Sequence, residues 1–162
     1  GRIGRHSVRI GSGFGMEILA CDAMPDEGLA VDMGFAYCSF EELLRSADFI
    51  TVHVPLVAST RHLIDAKALA RVKPGTILVN TSRGGVIDSA ALKAALASGH
   101  LRGAGLDVLE DERTVYHDFG DANVVVTPHI GWYTQEARDR ILQASLGNVR
   151  AWMEGRPANR VA

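Results

Sequence analysis

The sequence lacks the features that mark several classes of protein. It contains two cysteines, Cys21 and Cys38, and their spacing is not that of metal ligands. We expect both to be reduced thiols in the core of a cytosolic protein. The net charge is −2 with both signs dispersed, so no basic surface for nucleic acid or an anionic membrane is indicated. No apolar run approaches the length of a membrane span.

The remaining composition is ordinary for a globular domain. Of the 162 residues, 47% are hydrophobic and 22% are charged. We find no repeat, low-complexity segment or linker, and expect residues 1–162 to belong to one domain. The chain begins with Gly1 rather than Met, which leaves open what precedes it.

Strand-like and helix-like segments alternate along the chain. Strands are expected at residues 16–21, 34–37, 48–54, 76–80, 102–108 and 124–127, with helices between them and a long helix after Thr134. Ser39 begins a capping box, and Asp65, Asp88 and Thr134 precede helical patterns as N-caps. This alternation predicts an α/β fold with a doubly wound parallel sheet.

The most informative stretch is residues 77–88, where an apolar run stops at Arg83 and two glycines. In open α/β sheets ligands bind beyond the carboxyl ends of the strands, so Arg83 is placed where a ligand would bind. The alternative is a loop arginine paired with a nearby carboxylate. We expect the glycines to let the backbone turn.

A second pattern indicates a dinucleotide. Gly1-Arg-Ile-Gly4 begins a helix, and Asp22 ends the next strand eighteen residues after Gly4. Together they match the last two glycines and the acidic residue of Gly-x-Gly-x-x-Gly sites, in which pyrophosphate sits at the helix N-terminus and the carboxylate accepts from ribose. The alternative is an ordinary strand-capping aspartate. A carboxylate would repel a 2′-phosphate, so NAD is favoured over NADP.

Polar residues follow several strands of the predicted sheet. They include His53, Arg83, Asp107 and His129. Alone, each has a structural explanation: the histidines as hydrogen-bonded residues at the core edge, Asp107 as a cap, and Glu112 as a solvated loop charge. An acid, a base and a cation at one sheet edge instead form an active-site pattern.

Five ordered motifs resemble those of the D-isomer-specific 2-hydroxyacid dehydrogenases. They are Gly-Arg-Ile-Gly4 with Asp22, His53-Val-Pro55, Asn80-Thr-Ser-Arg-Gly84, Gly105-Leu-Asp-Val-x-Glu-x-Glu112 and Thr127-Pro-His-Ile130. The resemblance implies the Rossmann NAD-binding domain of an oxidoreductase that transfers hydride between NADH and a 2-keto acid. It also implies that the full-length protein is a homodimer. From the composition we expect a cytoplasmic location and no metal site, nucleic-acid partner or membrane partner.

The resemblance also implies roles for individual residues. Arg83 would bind the substrate carboxylate and keto oxygen, His129 would be the acid/base, and Glu112 would be its carboxylate partner. The implied cofactor-binding residues are Gly1, Arg2, Ile3 and Gly4 at the pyrophosphate, Asp22 at the ribose, Val54, Pro55 and Thr60 around the adenosine half, and Thr81, Ser82, Arg83, Asp107 and His129 towards the nicotinamide.

Some motifs leave the substrate and the activity open. Arg113 stands where many family members have proline after the glutamate, and residues 107–118 are closer to D-lactate dehydrogenases. Residues 130–134 instead resemble the C-terminal-binding proteins, a branch of NAD-binding corepressors. The alternatives are therefore an NAD-sensing, corepressor-like protein or a catalytically silent fragment. Trp132 either lines the pocket, favouring an apolar 2-keto side chain, or anchors the last helix.

The family's first strand and its substrate domain have no counterpart in these residues. The first strand is central in the order 3-2-1-4-5-6, so strands 16–21 and 49–54 would each have an unpaired edge. We expect a strand-wide gap or a rearrangement between them. We also expect the 162 residues alone to aggregate or stay partly folded, to bind NADH weakly and to reduce no keto acid.

Overall fold

The computed structural model describes residues 1–110 and 119–160. They divide into two compact units, Gly1–Pro128 and His129–Ala162. The first unit alternates strands with helices, and the second consists of a short entry segment and one long helix. That both belong to one domain stays a prediction.

The element order of the first unit follows the expected alternation. The elements are α1 (Arg2–Gly13), β1 (Leu19–Ala20), α2 (Glu27–Met33), β2 (Ala36–Tyr37), α3 (Phe40–Ser46), β3 (Phe49–Val52), α4 (Ala66–Leu69), β4 (Ile77–Asn80), a 3₁₀ turn (Gly84–Val86), α5 (Ser89–Ala97), β5 (Gly103–Leu106) and β6 (Val124–Val126). In the second unit α6 spans Gln135–Met153. All six expected strands form, but each is shorter than its apolar run.

The predicted helix caps are confirmed. The side chains of Ser39, Asp65, Asp88 and Thr134 each accept a hydrogen bond from a backbone N–H in the first turn of α3, α4, α5 and α6. Asp26 caps α2 in the same way without having been predicted. Such caps satisfy N–H groups that have no partner inside the helix, so they determine where each helix begins.

The strands form two parallel sheets, β1-β2 and β3-β4-β5-β6. In the larger sheet Ile50 lies opposite Leu78, which lies opposite Ala104, and β6 continues the register. Helices flank the sheets, so the expected parallel α/β architecture is confirmed. β1 does not pair with β3, which agrees with the expected gap between those strands.

The core lies against one face of the larger sheet. Its members are apolar side chains of β3, β4 and β5 together with those of α3, α4 and α5, including Leu44, Ile50, Leu78, Leu92 and Leu106. On the opposite face Phe49 is 56% exposed and Val125 is 66% exposed. Within residues 1–110 and 119–160, no helix has both the length and the apolar character needed to cross a membrane.

The two cysteines are free thiols, as expected, but the expectation that both are in the core is wrong. Cys21 is exposed and Cys38 is half-buried, because they follow the last residues of β1 and β2, where the chain leaves the smaller sheet. Burial raises the pKa of both thiols, and the nearby Asp22 carboxylate raises the pKa of Cys21 further.

Candidate cofactor and substrate site

The N-terminus of α1 has the character of an anion site. Within α1, all of which is described, the first turn has no acidic residue and its N-cap, Gly1, makes no side-chain hydrogen bond. The N–H groups of that turn therefore keep the partial positive charge that favours a bound anion. This arrangement fits the pyrophosphate predicted for Gly1, Arg2, Ile3 and Gly4.

Asp22 lies beside this helix N-terminus. Its Oδ2 is 3.8 Å from the backbone nitrogen of Gly1, and its Oδ1 accepts a hydrogen bond of 3.0 Å from the Met24 N–H. One carboxylate oxygen thus closes the turn after β1, as the capping alternative requires. The other carboxylate oxygen, Oδ2, lies near the start of α1, where a ribose hydroxyl would reach it. Asp22 and the N-terminus of α1 therefore fit a dinucleotide.

His53 supports the packing of α1 on β3. Its Nε2 lies 3.0 Å from Ser7 Oγ and 3.1 Å from Thr51 Oγ1. A Cβ at Gly4 would lie at an ordinary contact distance of 3.9 Å from the His53 side chain, so the packing of α1 against His53 does not itself require a glycine there. Burial lowers the pKa of His53. His53 therefore has the structural role that the alternative interpretation proposed.

The loop after β3 carries the residues predicted around the adenosine. The Thr60 hydroxyl donates to the Pro55 carbonyl at 2.5 Å and accepts from the Val57 N–H at 2.9 Å. Val54 packs against the core, and Pro55 is exposed. Thr60 thus fixes the shape of this loop, and the contacts of all three residues with adenosine stay a prediction.

Arg83 is held at the end of β4 by a residue that the motif contained but the site prediction omitted. Asn80 is 1% exposed. Its amide donates to the Arg83 carbonyl at 2.9 Å, and its Oδ1 accepts from the Ser82 N–H at 2.9 Å and from the Ser82 hydroxyl at 2.8 Å. The signal available in the sequence was a polar asparagine at the end of an apolar strand, where a buried amide needs hydrogen-bond partners.

The guanidinium of Arg83 is exposed and donates to the Ser82 carbonyl at 2.7 Å. Within the described part of the chain it pairs with no carboxylate, unlike Arg61, which lies 3.4 Å from Glu110. That Arg83 binds a ligand, and is not a loop arginine paired with a carboxylate, stays a prediction. Its remaining donors can bind a planar carboxylate. The neighbouring Thr81 is exposed.

Gly84 is required for a different reason from the one expected. Neither Gly84 nor Gly85 has a positive φ, so the turn itself does not need them. A Cβ at Gly84 would instead lie 1.9 Å from the Leu109 carbonyl oxygen and 2.4 Å from the Glu110 nitrogen. The loop after β4 thus rests directly on the backbone that follows β5.

Asp107 lies at the end of β5, between its neighbouring strands. Its backbone N–H donates to the Asn80 carbonyl at 3.0 Å, and its Oδ1 accepts from the Thr127 hydroxyl at 2.5 Å. The ends of β4, β5 and β6 are therefore tied together at the edge where Arg83 emerges. The structure brings Arg83, Ser82 and Asp107 to this edge, and contact of Asp107 with nicotinamide stays a prediction.

The proposed acid/base pair is less fully described. His129 is the first residue of the second unit and has a φ of +54°, a backbone conformation that residues other than glycine seldom adopt. Such backbone strain clusters at functional sites. Glu112 lies outside the described residues. Trp132 is 49% exposed and packs edge-to-face on Tyr133 at 5.1 Å, so within its unit it is not a buried anchor for α6.

A parallel α/β sheet with a helix N-terminus and a carboxylate at its edge defines a dinucleotide-binding domain. Residues 1–131 match the family model described as the D-isomer specific 2-hydroxyacid dehydrogenase NAD-binding domain. The chain belongs to this family, and its cofactor is NAD. The family membership predicted from the motifs is thereby confirmed.

Individual relatives agree with this membership. The chain is 42% identical to glyoxylate reductase of Thermococcus litoralis and 45% identical to D-3-phosphoglycerate dehydrogenase of Mycobacterium tuberculosis, in each case over 96% of its length. It covers 47% and 30% of those proteins. The chain thus spans half or less of the length of these curated relatives.

Solved structures give the same result. The apo D-lactate dehydrogenase of Escherichia coli superposes with a TM-score of 0.91 at 36% identity, covering 98% of this chain and 50% of that one. The D-lactate dehydrogenase of Aquifex aeolicus, complexed with NAD and lactic acid, gives 0.88 at 35% identity, covering 96% and 51%. These relatives are dehydrogenases and reductases, so the corepressor-like alternative is not favoured.

Proposed function

We propose that the protein containing this chain is an NAD-dependent dehydrogenase that interconverts a 2-keto acid and a D-2-hydroxy acid. The observation that carries the proposal is the placement of Arg83. An exposed guanidinium without a carboxylate partner in the described residues follows β4, and a buried asparagine holds its backbone. This is the geometry of a carboxylate receptor at a sheet edge.

The substrate fits the chemistry of this cation. A 2-keto acid presents a carboxylate oxygen and a keto oxygen side by side, and the planar fork of donors in Arg83 can bind both. The same donors would stabilise the negative charge that develops on the keto oxygen during reduction. Arg83 would therefore act in substrate binding and in the chemical step.

Bound NADH would supply the hydride for the keto carbon. Protonated His129 would then donate its proton to the alkoxide oxygen, completing the D-2-hydroxy acid. A carboxylate at Glu112 would favour the imidazolium and so keep this acid charged near neutral pH. In the oxidative direction neutral His129 would accept the hydroxyl proton.

The proposal also covers the class of substrate, the oligomeric state and the cellular location of the protein. The relatives named above act on acids of different size and charge, so only a 2-keto or 2-hydroxy acid is proposed as the class. If Trp132 lines the substrate pocket, as the family resemblance implies, it would favour an apolar side chain on that acid. A homodimer, a cytoplasmic location and the lack of nucleic-acid or membrane partners stay predictions.

The proposal is tested on the full-length protein with NADH and a panel of 2-keto acids bearing small, apolar or charged side chains. We expect NADH oxidation with at least one of them and a D-product on chiral chromatography. Arg83→Ala should abolish turnover while NADH still binds. NADH binding by the wild type without reduction of any keto acid would instead indicate a sensing protein.

A further inference from the structure

Glu110 connects three loops at the carboxyl edge of the larger sheet. Its own segment follows β5, and its Oε1 lies 2.5 Å from Nε2 of His62, in the loop after β3. Its Oε2 accepts a weak 3.4 Å hydrogen bond from the backbone N–H of Ser89, at the start of α5 after the Arg83 loop. The side chain is 23% exposed, so these contacts are partly shielded from water.

The loops after β3 and β4 are also joined by their backbones. His62 N–H donates to the Gly85 carbonyl at 2.9 Å, and Ile64 N–H donates to the Val86 carbonyl at 3.1 Å. His62 has φ of +50°, in the left-handed region that is unfavourable for a side chain with a Cβ. Its contacts with Gly85 and Glu110 hold it there, so the imidazole is presented in a fixed direction.

The Arg83 loop rests on the backbone that Glu110 anchors. The α-carbon of Gly84 lies so close to Leu109 and Glu110 that there is no space for a Cβ. A shift of Glu110 would therefore shift the surface that supports Gly84, and with it the neighbouring Arg83. The cavity bordered by Asn80, Gly84 and Glu110 has a volume of about 10 Å³, room for one water molecule and not for a keto acid.

We propose that Glu110, held by His62, is a positioning residue for Arg83. It acts through the backbone of the Arg83 loop and does not touch the substrate. The inference rests on the proposed role of Arg83 in binding a 2-keto acid. Loss of Glu110 should therefore impair keto-acid binding and leave the cofactor site around α1 and Asp22 intact.

The test uses the full-length protein and the variants Glu110→Ala, Glu110→Gln and His62→Gly. Glu110→Ala should raise KM for the keto acid by about ten- to a hundred-fold, as expected for misplacement of a binding group by about 1 Å. Its Kd for NADH should change much less than KM for the keto acid, because the cofactor contacts at α1 and Asp22 do not involve this loop. Glu110→Gln keeps an acceptor oxygen and should restore most of the lost affinity.

His62→Gly removes the imidazole but suits the positive φ, so it separates the contact from backbone strain. The double variant His62→Gly, Glu110→Ala should be about as impaired as Glu110→Ala alone, because both changes break the same interaction. The matched control is Glu41→Ala, which removes a surface carboxylate paired with Arg45 at 2.7 Å within α3. It should leave KM unchanged.

A second readout is independent of cofactor and turnover. In the absence of ligands, amide hydrogen exchange in residues 82–88 should be faster in Glu110→Ala than in the wild type or Glu41→Ala. Unchanged KM and unchanged exchange in Glu110→Ala would overturn the inference, as would a lower Tm with KM unchanged. If the wild type reduces no keto acid, the proposed function fails, while the exchange measurement still tests whether Glu110 holds the loop.

Discussion

Replacement of Gly84 by alanine is the most direct perturbation of the loop that carries Arg83. The new methyl group would lie 1.9 Å from the Leu109 carbonyl oxygen and 2.0 Å from its carbon. Both are backbone atoms, so no side chain can rotate away to make room. Overpacking in a well-packed region costs about 1–3 kcal/mol, and contact with backbone places this case at the upper end.

Alanine also restricts the unfolded chain, which offsets about 0.4–1 kcal/mol of that cost. The expected net loss is about 2 kcal/mol, which lowers the urea midpoint by about 1 M for a slope of about 2 kcal/mol/M. Circular dichroism of the full-length protein in urea would measure it, and KM for the keto acid should rise as Arg83 is displaced.

The control is Gly28→Ala in α2, where the added Cβ would meet Asp26 Oδ1 at an ordinary 3.6 Å. That substitution should leave stability unchanged or raise it by up to about 1 kcal/mol. If Gly84→Ala unfolds at the same urea concentration as the wild type, the close approach of the two loops is wrong.

Four further predictions concern charged groups. Asp22→Ala should narrow the preference for NADH over NADPH, measured as the ratio of their Kd values, by about ten-fold or more, since charge-assisted hydrogen bonds contribute about 1.5–3 kcal/mol. An unchanged ratio would show that Asp22 acts only as a strand cap. His129→Gln should lower kcat for keto-acid reduction by about 10²–10⁴-fold. Glu112→Gln should move the alkaline limb of the pH–rate profile for reduction to lower pH, because the imidazolium loses its carboxylate partner. If that limb does not move, another group orients the histidine. Burial raises the pKa of Glu110, but hydrogen bonds from His62 and the Ser89 N–H outweigh it and hold that pKa below its usual 4.5. The ionised Glu110 carboxylate therefore stabilises the folded protein above about pH 4.5, and this contribution is lost as the pH falls through the lowered pKa. In urea titrations the difference in unfolding free energy between wild type and Glu110→Gln should therefore shrink on acidification. A difference that stays constant with pH would refute this prediction.

The features that sequence predicted well are those determined by local chemistry. A side-chain oxygen before an apolar helical pattern is sufficient to place the starts of α3 and α5 at Ser39 and Asp88. Apolar runs likewise locate the strands, because the strands of parallel α/β sheets are rich in valine, isoleucine and leucine. The position of Arg83 follows from the same logic, since it is the first cation after such a run.

The features that sequence missed depend on contacts between distant segments. The need for glycine at position 84 comes from a backbone 25 residues away, at Leu109. The pairing of His62 with Glu110 spans 48 residues, and neither residue has a neighbour that signals it. The strands are shorter than their apolar runs because ladder hydrogen bonds, and not hydrophobicity, define their ends.

The central claim is that Arg83 binds the 2-keto acid through two parallel donors, and Arg83→Lys tests it most directly. A lysine keeps the charge but not the planar fork. In steady-state assays of the full-length protein, Arg83→Lys should raise KM for the keto acid and lower kcat almost as far as Arg83→Ala does, while NADH binding persists. A lysine variant that retains most of the wild-type activity would contradict bidentate binding and would show that Arg83 acts only as a positive charge.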